Sequence, residues 1–189
     1  MDRQRIINLL RAISAITVFG FTLGLMFPLL ALIMEKQGFS SDVIGYNSAM
    51  QPLGIVLSVF AIPPMVRRFG AKRTVIGAAI LTAAVIVCYP FAPVFWWWFG
   101  LRILHGFFVS TLFAISEAWI VRFAEGAWRS RILALYTSVL ALSFGGGPIL
   151  IGITGIDGPA PFMIGALVLL AATIPIVFVQ DEAVDGADE

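Results

Sequence analysis

The 189-residue chain carries 12 Lys and Arg against 11 Asp and Glu, a formal net charge of +1, with 60% hydrophobic and only 12% charged residues. Its mean hydropathy is +0.98. Soluble domains carry about 25% charged residues, so this composition excludes an ordinary soluble domain and describes an all-α integral membrane protein, with the lipid bilayer as its first partner. The cations sit in short basic loops that serve topology, so nucleic acid is not an expected partner. Cys88 is the single cysteine, which excludes an intrachain disulfide and reads as a small packing residue.

In chain order, residues 1–11 form a basic leader with Arg3, Arg5 and Arg11, and an uncharged run from Ala12 to Met34 follows. That run is longer than the apolar core of a cleaved signal peptide, so it is read as an uncleaved first span. A polar turn from Glu35 to Asp42 offers Ser41 or Asp42 as the N-cap of a second span, Val43 to Met65. The stretch Met65 to Arg73 reads as a tight basic loop turning at Gly70, and a third span runs from Thr74 to Tyr89. Pro90 and Pro93 close it in a short hairpin. The fourth span begins near Val94 with Trp96, Trp97 and Trp98, a cluster suited to an interfacial aromatic belt. A second basic loop from Phe123 to Arg131 leads to a fifth span, Ile132 to Thr154, and a sixth, Phe162 to Val179. The six-helix bundle thus occupies residues 12–179, and residues 180–189 form an acidic tail.

Ten of the twelve cations fall in three segments: Arg3, Arg5 and Arg11; Arg67, Arg68, Lys72 and Arg73; and Arg122, Arg129 and Arg131. With six spans these segments share one side, and the positive-inside rule makes that side and both termini cytoplasmic. Localisation is then a multi-pass protein of the cytoplasmic (inner) membrane.

The fourth span, Phe95 to Arg122, holds Arg102, His105 and Glu117 within an apolar run of about 40 Å as a helix. Arg102, His105, Gly106, Ser110, Phe113 and Glu117 recur at helical spacing, so they form one stripe that cannot face lipid. Arg102 has two readings, a contact in an internal cavity or a side chain snorkelling to the interface. His105 is either a packed neutral ring or a proton site. Glu117 either pairs with Arg67, Arg68 or Arg73, or carries a proton. It lies about 22 Å along the helix from Arg102, so the two do not form one ion pair. Tyr46, Asn47 and Gln51 line a path or glue helices together. The glycines before Pro148 are a hinge or a close-packing site.

These residues carry a resemblance. The loop after span two resembles the Major Facilitator Superfamily signature Gly-x-Leu-x-Asp-Arg-x-Gly-Arg-Arg through Arg68, Gly70 and Lys72, with Arg73 adding a cation. Pro63, Met65, Arg67 and Ala71 stand where that signature has glycine, leucine, aspartate and arginine. Arg102 to Gly106 resembles the family's fourth-helix Arg-x-x-x-Gly motif, and Gly147-Pro148 with Gly152 resembles its fifth-helix Gly-Pro motif. The chain is thereby similar to the N-terminal six-helix half of such a transporter.

The resemblance implies two inverted three-helix repeats, and Pro52-Leu53-Gly54 in span two against Gly147-Pro148 in span five echoes them. It implies secondary active transport of a small-molecule substrate by alternating access, with Arg102 a substrate contact and His105 or Glu117 the proton-coupling sites. Rocking needs a second bundle, so the expected partner is a parallel homodimeric copy or a separately encoded C-terminal six-helix half. The competing expectation is a non-transporting scaffold or a truncated remnant of a twelve-helix transporter. Neither a hydrolase nor a metalloenzyme motif occurs, so no enzyme activity, cofactor or metal is expected.

Overall fold

A computed structural model describes residues 3–124 and 128–178; the acidic tail and the middle of the second basic loop lie outside the described residues. The described chain is helical: α1 (Arg3–Lys36), α2 (Ser41–Phe69), α3 (Ala71–Cys88), a 3-10 turn (Tyr89–Phe91), α4 (Val94–Phe123), α5 (Arg129–Thr154) and α6 (Ala160–Val177). All six α-helices are long and apolar enough to cross a membrane. In lipid every backbone amide needs an internal partner, which a helix supplies within itself. Pro28, Pro52, Pro63, Pro64, Pro148 and Pro175 lie inside helices, where packed neighbours tolerate the lost bonds.

Several expected boundaries move. The described part of the basic leader is already helix, because α1 starts at Arg3. The cap of α2 is Ser40 rather than Ser41 or Asp42, and its side chain makes no capping bond. The basic stretch from Met65 to Arg73 is not a loop. Helix α2 carries Arg67 and Arg68 in its last turn, Gly70 alone makes the turn at φ 79° and ψ 153°, and α3 begins at Ala71. That conformation is essentially glycine-only, so one residue reverses the chain. The two arginines at the end of α2 also face the negative end of its dipole. Cys88 is exposed at the end of α3 rather than packed. The tryptophan cluster divides: Trp96 and Trp97 are exposed, whereas Trp98 is buried edge-on against Tyr89 at 5.5 Å.

The dominant helix pairings are α1 with α5 and α2 with α4, while α1 also meets α4 and α6, and α3 packs on α4 and α6. Exchanging α1, α2 and α3 for α4, α5 and α6 leaves this pattern unchanged. Glycines set both dominant contacts. A Cβ on Gly24 would lie 1.9 Å from the Phe144 carbonyl oxygen, and one on Gly147 2.1 Å from the Leu25 nitrogen. A Cβ on Gly54 would lie 2.0 Å from the Ile103 oxygen, and one on Gly106 2.1 Å from the Gln51 oxygen. Lipid removes any hydrophobic drive between helices, so backbone-to-backbone approach at small residues is what joins them.

The core is formed by Ile16, Leu25, Leu29, Ile86, Leu112 and Leu169. Helices α2 and α5 keep most of their residues exposed, among them Leu53, Val56, Phe60, Leu142, Ile149 and Ile153. At the basic end, the Arg11 guanidinium donates to the Phe178 carbonyl and ties the start of α1 to the end of α6. At the other end Lys36 meets Asp157 at 2.6 Å, an exposed pair of small energetic weight.

Gly106→Ala is expected to lower stability by about 2 kcal/mol, because the obstructing atom is backbone and cannot rotate away. Gly100→Ala, with no atom within 4 Å, should instead raise it by up to about 1 kcal/mol through helix propensity. Thermal unfolding in detergent followed by far-UV circular dichroism separates the two.

Candidate functional site

The stripe on α4 turns inward. Arg102 and His105 are fully buried at 0% exposure, and Gly106 and Ser110 are buried with them. Phe113 is half-buried and stacks on Phe19 of α1 with ring centroids 4.2 Å apart. The snorkelling alternative for Arg102 is therefore excluded. Its Nε donates to Asn47 Oδ1 at 3.0 Å, its Nη1 donates to Gln51 Oε1 at 3.0 Å, and its guanidinium carbon lies 5.2 Å from the centre of the Phe27 ring. Asn47 and Gln51 are four residues apart and so present both amides on one face of α2. Tyr46 does not join them; it is 67% exposed.

The close approach at Gly54 and Gly106 sets the separation at which this contact forms. One and two turns along α2 from Gln51, the same interface holds Gly54 and Ser58, and Ser58 Oγ hydrogen-bonds Ser110 Oγ at 3.0 Å. A charge inside a membrane helix is costly unless it is paired or solvated. Here no carboxylate pairs with Arg102 among the described residues. Arg102 Nη2, Asn47 Nδ2, Gln51 Nε2 and both His105 ring nitrogens are buried without a hydrogen-bond partner. The buried Tyr89 hydroxyl and Trp98 Nε1 are in the same state. Both of these residues line a cavity of about 420 Å³ at the end of the bundle away from the basic turns, together with Phe162, Lys36 and Asp157.

Glu117 belongs to a different site. The expected ion pair with Arg67, Arg68 or Arg73 is not formed. Those arginines are exposed at the helix ends, and Arg68 lies over the Phe69 ring at 5.4 Å. Glu117 is half-buried and accepts a hydrogen bond from Tyr136 Oη of α5 at 2.9 Å. Among the motif residues, Gly147 is buried against α1, whereas Pro148 is exposed and Gly152 is exposed with no atom within 4 Å of a built Cβ. Among the described residues no group of three His, Cys, Asp or Glu could hold a metal.

Sequence reasoning missed Phe27, Ser58, Tyr89, Trp98 and Tyr136. Ser58 was findable, since Asn47, Gln51, Gly54 and Ser58 keep the same helical spacing as the stripe on α4. Tyr136 is one of three tyrosines, but nothing in its span says which helix it meets.

Asn47→Leu should cost about 1–3 kcal/mol, because it strands a buried guanidinium N–H. Adding Arg102→Met should recover much of that loss, since an apolar pair leaves no buried charge unmet. A double-mutant cycle of thermal unfolding in detergent measures the coupling.

The sequence profile of the Major Facilitator Superfamily matches residues 12–188. The chain is also similar to the uncharacterized MFS-type transporter YfkF of Bacillus subtilis (strain 168), at 22% identity over 166 residues, or 88% of this chain and 42% of that protein. It therefore spans less than half the length of that relative. Six apolar helices, close pairing of α2 with α4 around a buried arginine, and a profile match over nearly the whole sequence lead to one conclusion: the chain belongs to the Major Facilitator Superfamily.

Proposed function

We propose that the chain is one six-helix bundle of a secondary active transporter that moves a small molecule across the cytoplasmic membrane by alternating access, coupled to protons. The observation that carries this reading is Arg102, a charge buried between α1, α2 and α4 and held by the neutral amides of Asn47 and Gln51. A fold maintains so costly a group where it serves a solute or ion path. The exchange symmetry of the helix pairings, with Gly24 and Gly147 matching Gly106 and Gly54, supports two inverted three-helix repeats. The basic ends of α1, α2 and α4 support cytoplasmic termini.

Alternating access requires a second bundle. The share of the transporter relative that this chain spans, 42%, is what one bundle of two would give. The exposed apolar faces of α2 and α5 offer it a surface, whether the second bundle is a parallel copy of this chain, a separately encoded partner or a further segment of a longer chain. Glu117, hydrogen-bonded to Tyr136 between α4 and α5, is the proton site in this scheme: on protonation its oxygen loses strength as an acceptor, which loosens the link between the two helices.

In proteoliposomes containing a pH-sensitive dye, a transported solute should move protons with it; Glu117→Gln should reduce that movement about a hundredfold or more, the range that single proton-transfer groups contribute, and Arg102→Ala should reduce it as well. Unchanged coupling in Glu117→Gln would make the Tyr136 contact purely structural. If the second bundle is a copy of this chain, cross-linking in lipid should trap a dimer with parallel orientation; a strictly monomeric six-helix bundle that nevertheless transports would remove the second bundle from the scheme.

A further inference from the structure

The hydrogen-bonding inventory around Arg102 is lopsided. A guanidinium has only donors, so the amide oxygens of Asn47 and Gln51 must face it, and their NH2 groups are left over. Those two amide nitrogens, Arg102 Nη2, Trp98 Nε1 and the Tyr89 hydroxyl are all buried donors with no partner. Against them stand the Tyr89 oxygen and the one ring nitrogen of His105 that accepts in a neutral imidazole. The local formal charge is +1, and no described carboxylate offsets it. Trp98 stands one turn before Arg102 on α4 and His105 about one turn after it, so the three share a face, and Tyr89 packs edge-on against Trp98 at 5.5 Å; these groups form one neighbourhood.

We propose that this neighbourhood binds the carboxylate of a small organic monoanion, and that such an anion is the substrate class of the transporter bundle. The naming of the anion as a substrate rests on the transport reading above; its binding does not. One negative charge neutralises the single guanidinium, whereas a phosphate dianion would leave a net negative charge in the interior. A carboxylate also brings two oxygens with about four acceptor positions, which matches an excess of donors contributed by Arg102, Asn47 and Gln51. A neutral amide or alcohol supplies fewer acceptors and no charge. Tyr89 and Trp98 belong both to this donor set and to the lining of the 420 Å³ cavity. That volume lies within the range of small-molecule sites. The anion approaches from that end, away from the basic turns, where Lys36 is already neutralised by Asp157.

The test is equilibrium binding to the purified protein in lipid nanodiscs, by calorimetry, with acetate, lactate, benzoate and inorganic phosphate beside acetamide, lactamide and benzamide. At least one carboxylate should bind saturably and about tenfold or more tighter than its own amide, with phosphate weaker. Arg102→Met should abolish the preference, and Arg102→Lys should keep part of it. Gln51→Glu places a carboxylate of the chain itself beside Arg102, so it should raise thermal stability and eliminate anion binding. That variant keeps the test decisive if Arg102→Met does not fold. The proposal is overturned if no carboxylate in the panel binds, if the amides bind equally well, or if Gln51→Glu binds carboxylates as the unaltered protein does. Flux in proteoliposomes separates the two claims: transport of a neutral solute with no carboxylate binding sinks this proposal alone. Carboxylate binding without flux of any bound solute sinks the transport reading and leaves the anion site.

Discussion

Arg102 is held in the interior by two amide oxygens of α2 and by the face of Phe27 on α1, and no described carboxylate shares the work. Placing an ion in a medium of low dielectric costs several kcal/mol even after relaxation, so the arrangement around it has to recover that cost through hydrogen bonds and ring contact. This constrains three helices at once. Helix α2 must present Asn47 and Gln51 on one face, α4 must bring Arg102 to them, and α1 must supply the ring.

The means of bringing α2 and α4 together is the absence of side chains at Gly54 and Gly106. Between membrane helices, packing and hydrogen bonds replace the hydrophobic effect as the source of affinity. A backbone contact therefore fixes separation more firmly than interlocked leucines would. The same device recurs at Gly24 and Gly147 between α1 and α5, so the two strongest pairings in the bundle are built alike. One of them carries the buried polar cluster. The other is set by backbone contact of α5 against α1.

Helix α4 thus holds two polar stations of different character. Toward the end lined by the cavity, Arg102 is enclosed and surrounded by donors. Toward the basic end, Glu117 is half-buried and bonded to a single hydroxyl, that of Tyr136. The arginines that sequence proximity suggested as its partners are carried past the span by α2 and α3 and stay exposed. A helical hairpin closed by one glycine does this naturally, since both helices continue through the turn and their terminal side chains point outward.

The class of the protein, the number of its spans and the presence of a polar stripe on the fourth were legible in the amino-acid sequence, because hydropathy and helical period are local properties summed over about 20 residues. The turn at Gly70 was legible as well, from the glycine between two basic residue pairs. What only the tertiary structure decided is partnership. Whether Arg102 reached an interface or an interior, that Asn47 and Gln51 would hydrogen-bond it, and that Glu117 would meet Tyr136 rather than an arginine all depend on which helix lies beside which. Apart from the polar stripes on the second and fourth spans, the helices are apolar nearly all round, and a stripe shows that a face turns inward without saying which helix it meets. The neighbours are chosen instead by a few close backbone contacts at glycines whose counterparts stand 49 to 123 residues away, from Gly54 to Ile103 and from Gly24 to Gly147.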